Sequence, residues 1–179
     1  MSREMVIKIL RAIARLNKEI KSVNPQIKPV IVGGSAVLIY TSGGFVTQDI
    51  DLVVGDSWRK DVAAILEKNG FKKGTGRHWI NDELDLFVEI PDGTLAGDWE
   101  KITTIEIDGS EVYLIGPEDL IIDRLNAAKH WRSRRDEEQC MYLLETMSSE
   151  LDWDYLNKRS SEEQVDDKLH ELVLRLSSE

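Results

Sequence analysis

The sequence predicts an α+β protein: a mixed β-sheet with flanking helices, followed by a C-terminal region that is helical throughout. Three observations carry this. Gly33-Gly34-Ser35 separates a short apolar run from a helical pattern, the mark of a strand–turn–helix unit. Asp108-Gly109 stands between two strand-like segments, a strong hairpin signal. After Gly116-Pro117 no strand pattern recurs, so the chain divides into an α/β core over residues 1–116 and a helical region, expected to pack on it, over 117–179.

The elements follow in order. Val6, Ile9, Leu10, Ile13, Leu16 and Ile20 recur at helical spacing and predict an amphipathic helix over Arg3–Lys21, stopped by Pro25 and Pro29. Val30–Val32 reads as a strand running into the glycine pair, and Ser35–Tyr40 as the helix beyond it, ended by Gly43-Gly44. Ile50–Val54 is a strand. Ser57 reads as the N-cap of a helix over Trp58–Asn69, with Gly70 as its left-handed terminator. Arg77–Ile80 and Leu84–Ile90 read as paired strands joined by Asn81-Asp82-Glu83, and Ile102–Ile107 and Glu111–Ile115 as the hairpin. Pro117 suits a first helical position, with Glu118 and Asp119 at the positive end of the dipole. Helices are then expected over Pro117–Trp131, Ser133–Ser148, Trp153–Lys158 and Glu162–Leu176.

Composition narrows the class. A chain of 179 residues supports one domain with a helical appendage, and an apolar share of 41% supplies its core. No apolar stretch approaches the roughly 20 residues of a membrane span. Charges run through Met1–Ile20, against a signal-peptide core. The single cysteine, Cys140, excludes an internal disulfide and a cysteine-based zinc site, and its apolar setting predicts a packed thiol. A cytoplasmic protein with no membrane partner is expected. A net charge of −10 argues against coating by nucleic acid through the whole surface. The charge is uneven: Glu150–Glu179 holds nine acids and four bases, whereas Arg124–Arg135 holds five bases and no acid.

The chemistry concentrates in two segments, VIVGGSAVLIY (Val30–Tyr40) and TQDIDLVV (Thr47–Val54). Strand side chains alternate, so Asp49 and Asp51 project together while Ile50, Leu52 and Val54 face a core. Adjacent carboxylates repel, and a hard cation such as Mg²⁺ (or Mn²⁺), held with substrate phosphates, relieves the repulsion. Asp-x-Asp on a half-exposed strand is also a common solvated face, but the glycine turn thirteen residues upstream favours the metal reading. Two-metal phosphoryl or nucleotidyl transfer needs a further carboxylate. Alternation across ELDLFVEI nominates Asp85, with Glu89 second and Glu83 left to the turn. Gly33 and Gly34 permit close backbone approach at a helix N-terminus, a phosphate seat to which Ser35 adds a hydroxyl. The bland alternative is a tight turn with Ser35 as a cap. In the basic island, Arg124, Lys129 and Arg135 are candidates for offsetting triphosphate charge, against a helix end decorated with cations that suit its dipole. The histidines and the five tryptophans read as packing or surface residues, with Trp79 and Trp131 the candidates for stacking on a base.

GGSAV followed by DIDL and a later LDLFVEI resembles the nucleotidyltransferase superfamily related to DNA polymerase beta. PEDLIIDRLNAAKHWRSRRDEEQ resembles the helical tail of its small stand-alone members, including AbiEii-like toxins of toxin–antitoxin systems. The resemblance implies a nucleotidyltransferase-like fold, with metal on Asp49, Asp51 and Asp85 and phosphate on Gly34 and Ser35. It also implies nucleotide contacts from Arg124 or Lys129 and from Arg135-Asp136; the arginine at 124 departs from the lysine expected there. The activity implied is Mg²⁺-dependent transfer of an NMP from an NTP to an acceptor hydroxyl on RNA, protein or a small molecule. The alternatives are an inactive nucleotide- or partner-binding module of a toxin–antitoxin-like system, with a protein partner on the C-terminal stripe of Leu169, Leu172, Val173 and Leu176, and an aminoglycoside-modifying adenylyltransferase.

Overall fold

Seven strands form one mixed sheet in a computed structural model that describes residues 2–47 and 49–178. Two compact units divide the chain, Met1–Ile115 and Gly116–Glu179. The first runs α1 (Ser2–Val23), β1 (Val30–Val32), α2 (Gly33–Tyr40), β2 (Asp49–Val53), a 3₁₀ turn (Asp56–Trp58), α3 (Arg59–Lys68), β3 (Lys72–Lys73), β4 (His78–Asn81), β5 (Leu86–Glu89), β6 (Thr103–Ile107) and β7 (Ser110–Leu114). The second holds α4 (Pro117–His130), α5 (Arg134–Met147), α6 (Trp153–Glu162) and α7 (Asp166–Leu176). Among the described residues no helix is long and apolar enough to cross a membrane.

The sheet order is β3-β4-β5-β2-β1-β7-β6. β2 lies near its centre, antiparallel to β1 and parallel to β5. Ile50, Leu52 and Val88 are buried on one face, so the odd-numbered residues of both strands project from the other. α1 packs its apolar stripe of Ile9, Ile13, Leu16 and Ile20 against β7, β6 and α3. Each such side chain contributes about 1.5–3 kcal/mol of transfer free energy. The Asp108-Gly109 hairpin is present, both residues in the left-handed region (φ 51 and 72). Gly70 ends α3 as expected, at φ 82, with Phe71 N–H donating to the Leu66 carbonyl at 3.0 Å.

Local structure departs from the sequence reading at three places. Ser57 lies inside the 3₁₀ turn, and Trp58 is the N-cap of α3, without a side-chain bond. Lys72-Lys73 adds an edge strand too short to show alternation. The break expected between Lys158 and Glu162 falls instead at Gln164 (φ 59), where Val165 N–H donates to the Ser160 carbonyl at 2.8 Å and the Val165 side chain is buried. This is a Schellman-type end built without glycine, and so it left no mark in the sequence.

In the second unit Glu118 and Asp119 do more than suit a dipole. Both are buried: Glu118 Oε1 accepts from Asp152 N–H at 2.7 Å, and Asp119 accepts from the Tyr155 hydroxyl at 3.0 Å. Cys140 is fully buried in α5, and desolvation pushes its thiol up to about 12. Iodoacetamide at pH 8 is therefore expected to leave the native protein unlabelled and to react once guanidinium unfolds it, as intact-mass spectrometry would show.

Candidate active site

β2 presents Asp49 and Asp51 on the exposed side of the sheet, and β5 presents Phe87 and Glu89 opposite them in register. Asp51 pairs across with Glu89. The result is a cluster in which one carboxylate oxygen from each of Asp49, Asp51 and Glu89 lies within 4.8 Å of the others. All three residues are half-buried. Thr47 Oγ1 donates to Asp49 Oδ1 at 3.2 Å, and Arg77 pairs with Glu89 Oε1 at 2.8 Å. His78 Nδ1 stands 3.9 Å from the other Glu89 oxygen. The Glu89 side chain is only 15% exposed, and the Arg77 guanidinium offsets part of its desolvation.

Asp85 lies outside this cluster. Asn81 Oδ1 accepts from Leu84 N–H at 3.0 Å, and Asp85 adopts φ 46, so the chain is still turning when it reaches Asp85. The strand begins one residue later, and the Asp85 carboxylate is 82% exposed, 4.0 Å from Lys8 Nζ. Asp85 and Asp49 line one cavity of about 270 Å³ together with Met5, Ile9, Val46 and Phe87. Alternation put Asp85, Phe87 and Glu89 on one face; what it could not reveal was that the strand starts at Leu86.

The glycine turn abuts the acids. Gly33 adopts φ 62, and a Cβ there would sit 2.4 Å from Asp51 Oδ2. A Cβ at Gly34 would meet Thr47 Oγ1 at 3.2 Å. Ser35 is fully buried and donates to the Val32 carbonyl at 3.0 Å, so its hydroxyl is turned back on the strand. The cations of the basic island are distributed within the helical unit. Arg124 pairs with Asp123 and with Asp136 at 2.6 Å, and also donates to Gln139 at 3.1 Å. Lys129 donates to Asp167 and to the Gln164 carbonyl, each at 2.6 Å. Arg135 is exposed at the start of α5. Trp79 is buried with Lys73 Nζ 4.5 Å from its ring centroid, whereas Trp131 is exposed.

The sheet thus sets an acid-x-acid strand beside a glycine turn, with a carboxylate of its parallel neighbour close by. The chain belongs to the family described as "Nucleotidyltransferase of unknown function (DUF6036)", whose model matches residues 8–175. It is thus a nucleotidyltransferase by family. No curated protein sequence matches it. Among solved structures it is similar to the antibiotic-resistance factor ANT(2'')-Ia in solution, with TM-score 0.59 and 15% identity, covering 99% of this chain and 97% of that one. The crystal structure of ANT(2'')-Ia in complex with adenylyl-2''-tobramycin gives TM-score 0.61 and 15% identity over 87% and 96% of the two chains. An antigenic nucleotidyltransferase-like protein from Paracoccidioides brasiliensis gives 0.56 and 17% over 76% and 75%. At these identities the likeness is one of fold.

Proposed function

We propose that the protein transfers an NMP from an NTP to an acceptor hydroxyl with the help of Mg²⁺ or Mn²⁺ held by Asp49, Asp51 and Glu89. The single observation behind this reading is the convergence of those three carboxylates within 4.8 Å beside the glycine turn. The donor set fits the ion: three hard oxygen ligands, half-buried and mutually repelling. The closeness of Gly33 to the Asp51 carboxylate supports the same view, since only glycine lets backbone and carboxylate share this space. When bound, the cation would neutralise phosphate charge and act as a Lewis acid toward a phosphoryl oxygen.

The backbone N–H groups after Gly33 seat the polyphosphate at the start of α2. The acceptor hydroxyl attacks the α-phosphorus, the bond from that phosphorus to the bridging oxygen breaks, and pyrophosphate leaves with the bonding pair. The hydroxyl proton passes to a carboxylate of the cluster. Ser35 shapes the turn from within. Arg124 and Lys129 hold α4 to its neighbours within the helical unit. The acceptor remains a hydroxyl compound of small-molecule, RNA or protein class. The ANT(2'')-Ia complex, with its adenylylated tobramycin, makes an amino sugar the first to assay.

Purified protein incubated with α-labelled NTP, Mg²⁺ and cell extract is expected to transfer label to one of these classes. Hydrolysis alone, or no metal-dependent consumption of NTP, would count against the reading. Glu89 and Asp85 make a sharp pair. Glu89→Gln is expected to weaken Mn²⁺ binding, read by electron paramagnetic resonance, by at least about tenfold, the lower bound for disturbing even an outer-shell partner of a metal. Asp85→Asn is expected to change it by less than about twofold, because an exposed charge is strongly screened.

A further inference from the structure

The seven-stranded sheet is open, with β3 at one edge and β6 at the other. The two edges are unequally protected. β3 is the exposed pair Lys72-Lys73, the short, lysine-bearing kind of edge that repels a further strand. β6 pairs every one of its residues with β7 in unbroken register, without bulge, proline or lysine. Glu106 is its one charge.

The hairpin turn fixes which way the main chain of β6 points. Asp108 and Gly109 both lie in the left-handed region, as a two-residue type I′ turn requires, and Ile107 and Ser110 flank it. The flanking pair of such a turn exchanges both its hydrogen bonds, and bonded and non-bonded pairs alternate along the ladder. Thr103, Ile105 and Ile107 therefore bond to β7, while the N–H and C=O groups of Thr104 and Glu106 point away from the sheet. Both of these residues are exposed. An unpaired main-chain row of this kind is a template for another strand.

The strand is complementary to itself. Set antiparallel about a two-fold axis at Ile105, it pairs along its whole length: Thr103 with Ile107, Thr104 with Glu106, and Ile105 with its own copy. Thr104 and Glu106, whose main chains point outward, fall opposite each other and exchange bonds. Half-buried Ile105 meets the second copy's Ile105 in a non-bonded pair, where side chains come closest. Glu106 faces a threonine, and Lys18 and Lys21 line a cavity with it and offset its charge. Slipping the register one way would set Glu106 against Glu106; slipping it the other way would pair only residues 103–105. We propose that β6 joins β6 of a second copy of this chain, so that two sheets become one across the dimer. The proposal concerns assembly and does not depend on the transfer reading.

Analytical ultracentrifugation of the full chain tests it, at concentrations up to about 200 µM, well above the dissociation constants of specific interfaces. A concentration-dependent dimer is expected. Thr104→Pro removes an outward N–H and no bond to β7, so it should return the protein to monomer with its circular dichroism unchanged. Ile105→Lys, which sets like charges face to face, should do the same should proline disturb the hairpin. Ile105→Cys tests the register. Non-bonded partners lie about 4.5 Å apart at Cα, within the disulfide range, so this variant should link most of its chains on mild oxidation. Thr104→Cys should stay unlinked, because its own copy lies diagonally across at about 7–8 Å. Cys140 is buried, so the parent protein should stay unlinked as well. A monomer throughout the range would overturn the proposal. So would a dimer that survives both Thr104→Pro and Ile105→Lys, an Ile105→Cys protein that does not link, or a Thr104→Cys protein that links as readily.

Discussion

Replacing Asp49 and Asp51 together by alanine is expected to abolish nucleotidyl transfer while leaving the fold intact. The two side chains share one edge of the carboxylate cluster, and neither is needed by the core that Ile50 and Leu52 fill from the other face. Charge stabilisation by a bound cation is worth several kcal/mol, so a loss of at least about 10³-fold in turnover is expected. The stability prediction has the opposite sign. Three carboxylates within 4.8 Å repel one another, and removing two relieves that repulsion. In metal-free buffer the double variant should melt no lower than the wild type. Adding Mg²⁺ with NTP should then stabilise the wild type alone, by about 2.7 kcal/mol at a hundred times the dissociation constant. Calorimetric titration and thermal melts read both effects. Nucleotide binding that ignores metal and both substitutions would leave the fold without its proposed chemistry.

The two halves of this site were unequally legible in the sequence. Alternation in DIDL is a local property, so the common projection of Asp49 and Asp51 could be read directly. The third acid depends on where β5 begins and how it registers with β2. Both are non-local: the Asn81 side chain captures Leu84 N–H, Asp85 takes φ 46, and Asp51 pairs with Glu89. The alternating pattern of LDLFVEI begins two residues before the strand that forms, and nothing in it marks the overrun. The glycine turn and the DG hairpin were legible because each needs a conformation few residues adopt. The break before the last helix was expected between Lys158 and Glu162 and falls at Gln164, a shift with the converse reason: a left-handed glutamine leaves no mark. Arg124 shows the same limit for charge, since its partner Asp136 lies on the next helix and emerges only once α4 and α5 pack.

Gly33→Ala is expected to be the most damaging single substitution outside the acids. At φ 62 an alanine pays about 1–2 kcal/mol for the left-handed conformation. Its Cβ would also lie 2.4 Å from Asp51 Oδ2, a distance that real contacts do not reach, so the carboxylate or the turn must move. Either movement displaces a proposed metal ligand from the polyphosphate seat. A misplacement of about 1 Å costs on the order of 10²-fold in rate. The variant should therefore lose activity far beyond what its lowered melting temperature explains at an assay temperature where it stays folded. Gly34→Ala provides the control. Its φ is not left-handed, and its Cβ would meet Thr47 Oγ1 at 3.2 Å, a contact a small shift relieves. Full activity in Gly33→Ala would mean that the closeness of turn and carboxylate serves packing, and the polyphosphate seat would have to lie elsewhere.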